Sequence, residues 1–332
     1  MTVFYLDGQE VEFKPTETVL DALIRHGQQV NYSCKKGVCK TCLLEQVEGQ
    51  IKLGSQRGLA PRLKQRNYVC ACQCQATADI KFKSILPQDL FVGAVIQHKK
   101  ILSDTVVSIG LKLENKLFYE QGQYLNLRRF DGLTRSYCPI NAANDDIVEF
   151  HVKRKYNGQF SDWLYHHAGV GEQILVQGPL GNSYYKAEYQ DQTLIVVAFG
   201  SGLGVAYGIV AHALQNNHQG EVFLYAGGRD EGELYLHTQL LKMNLIHRQF
   251  TYQACITGHK PSVMKGSRVV MADPFVQAVK AHRFDRQQQL FLCGDAMAVN
   301  HSREQAFLNG YPIERVHTLS FEYKDLRNRA RR

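Results

Sequence analysis

The sequence predicts a multi-domain chain with three successive architectures: a small α+β unit, an antiparallel β-barrel and an α/β unit built on a parallel sheet. Three observations carry this expectation. Near the N-terminus, apolar residues alternate around a tight turn and then shift to helical spacing. Short alternating strands punctuated by glycine fill the middle, and continuous apolar runs separated by helical stretches fill the last third. The expected boundaries are 1–86, 91–189 and 190–332. With 332 residues, 44% hydrophobic, the chain is long enough for each unit to own a core.

In the first unit, Val3, Tyr5, Val11 and Phe13 flank Asp7-Gly8, a hairpin turn signal between two strands. Thr18-Val19-Leu20-Asp21 resembles a helix-capping box with Asp in the usual Glu place. Leu20, Leu23 and Ile24 then line one helix face, and Gly27 stops it. A cysteine-rich loop follows directly: Cys34, Cys39 and Cys42 stand as C-x₄-C-x₂-C, and Cys72 comes after a long gap. That spacing is the plant-type [2Fe–2S] pattern, in which one loop gives three thiolates and a distant cysteine closes the cage. Gly37 suits a loop that must wrap closely around inorganic sulfide. Cys70, Cys72 and Cys74 alternate and, in an extended segment, point to one side, so the fourth ligand is Cys72 or Cys70. A structural zinc site pairs two short C-x₂-C hairpins, which the x₄ gap does not supply. A disulfide framework belongs to small secreted domains. Two strands, one helix and a cysteine loop are what a β-grasp ferredoxin requires. Cys138, Cys255 and Cys293 are isolated in sequence, as packing cysteines commonly are.

The second unit carries expected strands at Val92–Ile96, Thr105–Leu113, Tyr124–Arg128, Val148–Lys153 and Gln173–Gln177, with one helix near Ser161–His167. Short strands at this spacing suggest a closed antiparallel barrel. Within it, Arg135-Ser136-Tyr137-Cys138 offers a guanidinium for a diphosphate and, one pleat on, an aromatic ring for a ring system. Lys153 follows, and the run Gly158-Gln159-Phe160-Ser161 entering the helix adds backbone N–H groups that favour phosphate.

The third unit opens on Leu194–Ala198, an apolar run typical of a parallel strand buried on both faces. Gly200-Ser201-Gly202-Leu203-Gly204 follows and leads into a helix at about Tyr207–Leu214. A glycine turn between a buried strand and a helix is the context that a dinucleotide needs. Further strands are expected at Glu221–Tyr225, Phe250–Ile256 and Gln289–Cys293. The last runs into Cys293-Gly294-Asp295, at the carboxyl edge where α/β sheets bind ligands. The basic tail Arg327–Arg332 reads as a solvated end.

Together these motifs resemble the bacterial reductase components that carry electrons from NADH to oxygenases: an N-terminal ferredoxin joined to a ferredoxin–NADP⁺ reductase-like module. The CDP-deoxyglucoseen reductases are of the same kind. The resemblance covers essentially the whole chain. It implies that Arg135 binds the FAD diphosphate, that Tyr137 packs on the isoalloxazine, and that Cys138 stands where a hydroxyl residue approaches the flavin N5. Gly158, Phe160 and Ser161 are similar to the family's second FAD segment, and Gly178-Pro179-Leu180-Gly181 to the turn that closes the barrel. Gly200–Gly204 and Cys293-Gly294 look like the two nicotinamide turns, and Val69-Cys70-Ala71-Cys72-Gln73 supports Cys72 as ligand. Cys138 and Cys293 are thus the expected catalytic residues, and Arg135, Ser136, Tyr137, Lys153, Gly200, Ser201, Gly202, Arg229, Gly294 and Asp295 join the cofactor-binding set. Three departures stand out. Cys138 is a poorer donor than a hydroxyl, Val205 replaces a proline, and Leu319 stands where an acid is common. Glu322 is a candidate to replace that acid, and Phe321 and Tyr323 are candidates to cover the flavin.

The implied chemistry converts a two-electron donor into single electrons for a protein partner, with cofactors supplying the reactivity. Lys35, Lys36 and Lys40 are expected to ring the cluster edge and meet an acidic surface on that partner. Arg229 suits a 2′-phosphate, whereas Asp230 and Glu231 repel it, so NADH is expected rather than NADPH. Alternatives are a reductase of free flavin, ferric chelates or a sugar-dehydrase system, and a redox-sensing module. The net charge of +8 comes with no nucleic-acid motif. The N-terminus lacks a basic segment followed by an apolar one, and no apolar run reaches membrane-spanning length, so the expected location is the cytoplasm.

Overall fold

The computed structural model describes residues 2–50, 52, 54–59, 61–86, 90–142, 146–258, 269–282 and 287–321, without the side chains of 61 and 62. Among these residues the strands form three sheets in chain order, the succession that the sequence predicts.

The first sheet joins β1 (Val3–Leu6), β2 (Gln9–Glu12), β3 (Leu43–Glu48), β4 (Tyr68–Cys70) and β5 (Lys81–Ser84) in the order β2-β1-β5-β3-β4. Asp7 and Gly8 both take positive φ, which the twist of a two-residue hairpin favours. Helix α1 (Val19–Arg25) packs Val19, Leu20 and Leu23 into one core with Phe4, Val11 and Phe82. Seven residues are too few for a stable isolated helix, so this burial and the cap hold it. The Asp21 N–H donates to Thr18 Oγ1 (3.2 Å), and the Thr18 hydroxyl donates to the Asp21 carboxylate (2.6 Å). The expected extended run through Cys70, Cys72 and Cys74 is corrected by the structure. β4 ends at Cys70, whose carbonyl accepts from the N–H groups of Gln73 and Cys74, so the chain turns there. A short helix, α2 (Pro61–Gln65), precedes that strand.

The second sheet is wholly antiparallel. It orders β6 (Val92–Ser103), β7 (Val106–Leu113), β8 (Tyr124–Arg128), β9 (Thr134–Tyr137), β10 (Ile147–Lys153) and β11 (Gln173–Leu180) as β10-β7-β6-β11-β8-β9. Its two end strands meet just past β9. There the Ile140 N–H donates to the Glu149 carbonyl (2.9 Å), and the Asn141 carboxamide bonds both Glu149 N–H and the Ile147 carbonyl. That contact curls the sheet into a barrel around Ile96, Ile109, Leu125, Phe150 and Val176. Helix α3 (Ser161–His166) buries Leu164 in that core.

The third sheet is wholly parallel, with β12 (Thr193–Phe199), β13 (Val222–Gly228), β14 (Phe250–Ile256), β15 (Val269–Met271), β16 (Gln288–Asp295) and β17 (Val316–Phe321) ordered β15-β14-β13-β12-β16-β17. Helices α4 (Gly202–Gln215), α5 (His237–Ile246), α6 (Pro274–Ala281) and α7 (Ala296–Leu308) connect or flank the strands. Successive β12 side chains feed opposite cores: Leu194, Val196 and Ala198 one, Ile195 and Val197 the other. That explains the unbroken apolar run. The chain builds outward from β12 to β15 and then returns to β16 beside β12, so the switch point lies between β12 and β16. No helix among the described residues is long and apolar enough to cross a membrane.

Removing the α1 cap tests the first unit. Thr18→Ala should destabilise that unit by about 1 kcal/mol, read as a lower first transition in calorimetry of the whole chain. An unchanged first transition contradicts the capping role.

Candidate redox sites

The cysteine loop between α1 and β3 turns its backbone N–H groups toward sulfur. The N–H of Lys36 reaches Cys34 Sγ at 3.3 Å, that of Cys39 reaches the same sulfur at 3.4 Å, and that of Cys34 reaches Cys39 Sγ at 3.5 Å. Such a concave run of donors needs left-handed backbone at intervals, and Lys35, Gly37 and Lys40 all have positive φ. At Gly37 a side chain is doubly excluded, because a Cβ there would also press on Gln73 at 2.6 Å. The thiols fall into pairs. Cys34 meets Cys39, and the contact with Cys39 lowers the Cys34 pKa to about 5. Cys42 meets both Cys70 and Cys72, and the contact with Cys42 lowers the Cys72 pKa to about 7. Gln73 Nε2 adds a donor to Cys72 Sγ at 3.6 Å. Two pairs of thiols with ready donors fit two irons holding two thiolates each. Among the described residues no group of three or more His, Cys, Asp or Glu is set to hold a single metal ion.

The expected basic ring around the cluster edge is corrected by the structure. Lys40 is 6% exposed; its ammonium turns inward and donates to the carbonyls of Gly37 and Arg57, bracing the loop from within. The Lys35 side chain is 8% exposed, lies over the Tyr32 ring and stands 4.0 Å from the Asp21 carboxylate. Only Lys36 of the three is exposed. Positive φ at Lys35 and Lys40 sets these directions, which charge counting along the sequence cannot see.

The loop lies against the barrel through polar contacts from β8. The Asn126 carboxamide, 0% exposed, donates to the Cys39 carbonyl (2.7 Å) and to Gln177 Oε1 (2.7 Å), and accepts from the Ser136 hydroxyl (2.7 Å). Two residues back, the Tyr124 hydroxyl donates to the Val38 carbonyl. Sequence reasoning passed over Asn126; the available signal was a polar residue between Leu125 and Leu127 in a buried strand. Nearby, a cavity of about 420 Å³ is lined by Asn31 and Tyr32 from the first unit and by Arg129, Asp131, Thr134 and Gln159 from the second. It lies in the size range of small-molecule sites.

The flavin-motif residues come together around β9. Arg135 donates to the Thr134 carbonyl, and the Tyr137 ring stands 5.8 Å from Phe160, which also meets Trp163. Ser161 Oγ accepts from the Lys155 N–H, and a Cβ on Gly158 would press on that hydroxyl at 2.7 Å. Cys138 is buried, and burial pushes its pKa up to about 12. Cys293, on β16, shares a core with Cys138, and burial likewise holds it as the thiol. A guanidinium, an aromatic ring and a thiol on one strand and its sequel fit the demands of a flavin dinucleotide.

At the switch point, Gly200 to Gly202 and Cys293 to Gly294 lie side by side at the carboxyl ends of β12 and β16, with Phe199 paired to Gly294. A Cβ on Gly202 would collide with the Cys293 carbonyl, and one on Gly294 with the Phe199 carbonyl, so backbone packs on backbone here. A Cβ on Gly200 would meet only Lys153 Nζ, at 3.7 Å, leaving an open face beneath a cation. This is the crevice where open α/β sheets take dinucleotides. Asp295 is engaged as the α7 cap, accepting from the N–H groups of Met297 and Ala298. Val205 and Leu319 are buried core residues; Glu322, Tyr323 and the basic tail lie outside the described residues.

Sequence reasoning missed Glu233. Its Oε1 accepts from Lys153 Nζ (2.7 Å), across from the barrel unit, and from Arg229 Nη2 (2.8 Å). Arg229 is therefore already paired, four residues from its acid. Burial raises the Glu233 pKa, but hydrogen bonds from Arg229 and Lys153 outweigh it and bring the carboxyl down to about 2.

Comparison with known proteins agrees with this layout. Residues 4–77 match the 2Fe-2S iron-sulfur cluster binding domain, 93–185 the oxidoreductase FAD-binding domain, and 196–328 the oxidoreductase NAD-binding domain. The chain is 27% identical to the phenol hydroxylase P5 protein of Acinetobacter pittii, over 95% of this chain and 92% of that protein. It is 26% identical to the ferredoxin–NAD(P)(+) reductase component of the naphthalene 1,2-dioxygenase system of Pseudomonas putida, over 74% of this chain and 76% of that one. In fold it is similar to the ferredoxin reductase in carbazole 1,9a-dioxygenase, with TM-score 0.63 and 21% identity over 97% of this chain and 98% of that one.

The Glu233 contacts make an acid-range prediction. A carboxyl lowered from 4.5 to about 2 stabilises the fold fully above about pH 4.5 and loses that contribution as pH falls toward 2. At neutral pH the contribution is on the order of 2–3 kcal/mol. Glu233→Gln should therefore unfold more readily at pH 7 and show a flatter stability profile between pH 4.5 and 2 than the parent. Denaturant titrations at several pH values check this; parallel profiles contradict it.

Proposed function

The chain is an oxidoreductase built from a 2Fe-2S cluster-binding, an FAD-binding and an NAD-binding domain, and from that premise we propose that it is a reductase component passing electrons from NADH to a protein acceptor. That acceptor is a mono- or dioxygenase component, as the names of its relatives suggest. When bound, FAD would supply a two-electron acceptor for the hydride of NADH, and the cluster would supply single-electron transfer, twice per hydride, to the partner.

The chain's own residues carry the rest. We assign Cys34 and Cys39 to one iron, Cys42 and Cys72 to the other, with Cys72 preferred to Cys70 because Gln73 and the Gly37 N–H donate to its sulfur. Donors at sulfur favour the thiolate that metal binding needs. Arg135 would hold the FAD diphosphate, Tyr137 the ring system and Gly158 to Ser161 the phosphate-facing turn. Cys138 stays protonated at neutral pH, so it serves as a weak donor rather than a base or nucleophile. Gly200 to Gly202, Cys293 and Gly294 would admit the nicotinamide dinucleotide, with Lys153 above the open face. Glu233 holds Arg229 and adds negative charge beside Asp230 and Glu231, which supports NADH over NADPH.

We keep the units at 1–86, 91–189 and 190–332 and place the protein in the cytoplasm, a compartment that suits nine cysteines without a disulfide among them. Lys36 remains the outward charge of the loop for an acidic partner.

The observation that carries this reading is the pairing of thiols in a donor-lined loop that is hydrogen-bonded to the flavin strand. Anaerobic NADH should bleach both chromophores of the parent protein. In Cys72→Ser the cluster signal should vanish while flavin bleaching persists, and cytochrome c reduction should fall to background; an intact cluster assigns the fourth ligand to Cys70. The ratio kcat/KM should favour NADH by at least about tenfold, equivalent to about 1.4 kcal/mol. Equal use of NADPH removes the proposed role of the acidic turn.

A further inference from the structure

We propose that Asn126 is the positioning residue for electron passage from flavin to cluster: its buried carboxamide fixes the Cys39 end of the cluster loop against the flavin-binding strand. This rests on the cofactor placement proposed above and adds a residue to it.

The geometry is specific. A carboxamide has two N–H donors and one carbonyl, and here each has a partner on a different element. The donors meet the Cys39 carbonyl in the loop and Gln177 Oε1 on β11; the carbonyl meets the Ser136 hydroxyl on β9. Because the Cys39 carbonyl can only accept, the amide has a single workable orientation. Ser136 lies between Arg135 and Tyr137, the residues assigned to FAD, and Cys39 is assigned to the cluster. A hydrogen-bonded route from one set to the other therefore runs through Ser136, Asn126 and Cys39. Tyr124 adds an independent tie. It lies two residues earlier on β8, hence on the same strand face, and its hydroxyl donates to the neighbouring Val38 carbonyl. A polar side chain between Leu125 and Leu127 is costly in a strand core unless fully paired, and pairing across two units is what this one does.

The step served by this contact moves one electron, lost by reduced flavin and gained by a ferric iron of the cluster that becomes ferrous, with no atom passing between them. Asn126 bonds a ligand's carbonyl, not its sulfur, so it sets distance and orientation rather than the cluster's potential.

The test uses full-length holoprotein carrying Asn126→Leu or Tyr124→Phe, mixed anaerobically with NADH in stopped flow. Hydride transfer, read as flavin bleaching, should be unchanged in both. Cluster reduction should slow on the order of 10- to 100-fold in Asn126→Leu and less in Tyr124→Phe. Midpoint potentials of both cofactors should match the parent, and amide hydrogen exchange across residues 34–42 should quicken. Parental cluster reduction in both variants overturns the proposal, and so does slowing accompanied by a shifted cluster potential. Should Asn126→Leu fail to fold, Tyr124→Phe decides alone, with the parental rate and parental exchange counting against it. A parent protein whose cluster NADH does not reduce removes the functional reading instead.

Discussion

The constraint on which the structure turns is the need to surround sulfur with N–H groups. Thiolates gathered in one place repel one another and must be stabilised by donors, and the loop supplies them from its backbone. That requirement forces left-handed φ at Lys35, Gly37 and Lys40. Once the backbone is so bent, two lysine side chains are carried along with it. The Lys40 ammonium folds under the loop, caps the Gly37 carbonyl that the bend leaves pointing inward, and ties it to the Arg57 carbonyl of a separate segment. The Lys35 side chain is laid over Tyr32. The same bend presents the Val38 and Cys39 carbonyls outward, where β8 of the barrel accommodates them. Donor supply at the sulfurs thus determines which groups remain for contact between units.

Asn126 and Tyr124 join the first unit to the second, and the Lys153–Glu233 and His151–Tyr235 pairs join the second to the third. Leaving a buried hydrogen-bonding group unpaired costs about 1–3 kcal/mol, so such contacts penalise wrong docking more than they reward right docking. Each sheet has an apolar core, and that of the third also takes in Cys138, Tyr185 and Tyr189 from the second unit. The polar contacts at the junctions add a defined geometry, which is what carriers in series need.

Much of this was legible in the sequence because the relevant signals are local. C-x₄-C-x₂-C is a local pattern, the Asp7-Gly8 turn is set by two residues, and the β12 run reports burial on both faces. The strand bounds of β8 and β14 follow from alternation and apolar continuity. What escaped was set by long-range pairing. β15 and β17 are edge strands whose existence depends on β14 and β16 being in place. Glu233 gains its role from Lys153, 80 positions away, and Asn126 from Cys39, 87 positions away. The basic ring failed for a related reason: charge is visible in sequence, but its direction depends on φ values that only the cysteine loop imposes.

The paired cations near the nicotinamide crevice bear on how that crevice opens. Lys153 Nζ lies 3.7 Å from where a Cβ on Gly200 would be, and is bound to Glu233. A dinucleotide carries a diphosphate, which offers Lys153 the same kind of partner that Glu233 now provides. Exchange of one anion for another is nearly neutral in Coulombic terms, so entry need not first expose a lone buried charge. Glu233 then keeps Arg229, whose guanidinium it meets through both Nε and Nη2. A 2′-phosphate would have to compete with that carboxylate for the same guanidinium, whereas a ribose hydroxyl would not. Under the proposed reading, the Glu233–Arg229 pair and the acids Asp230 and Glu231 would together favour a ribose hydroxyl over a 2′-phosphate.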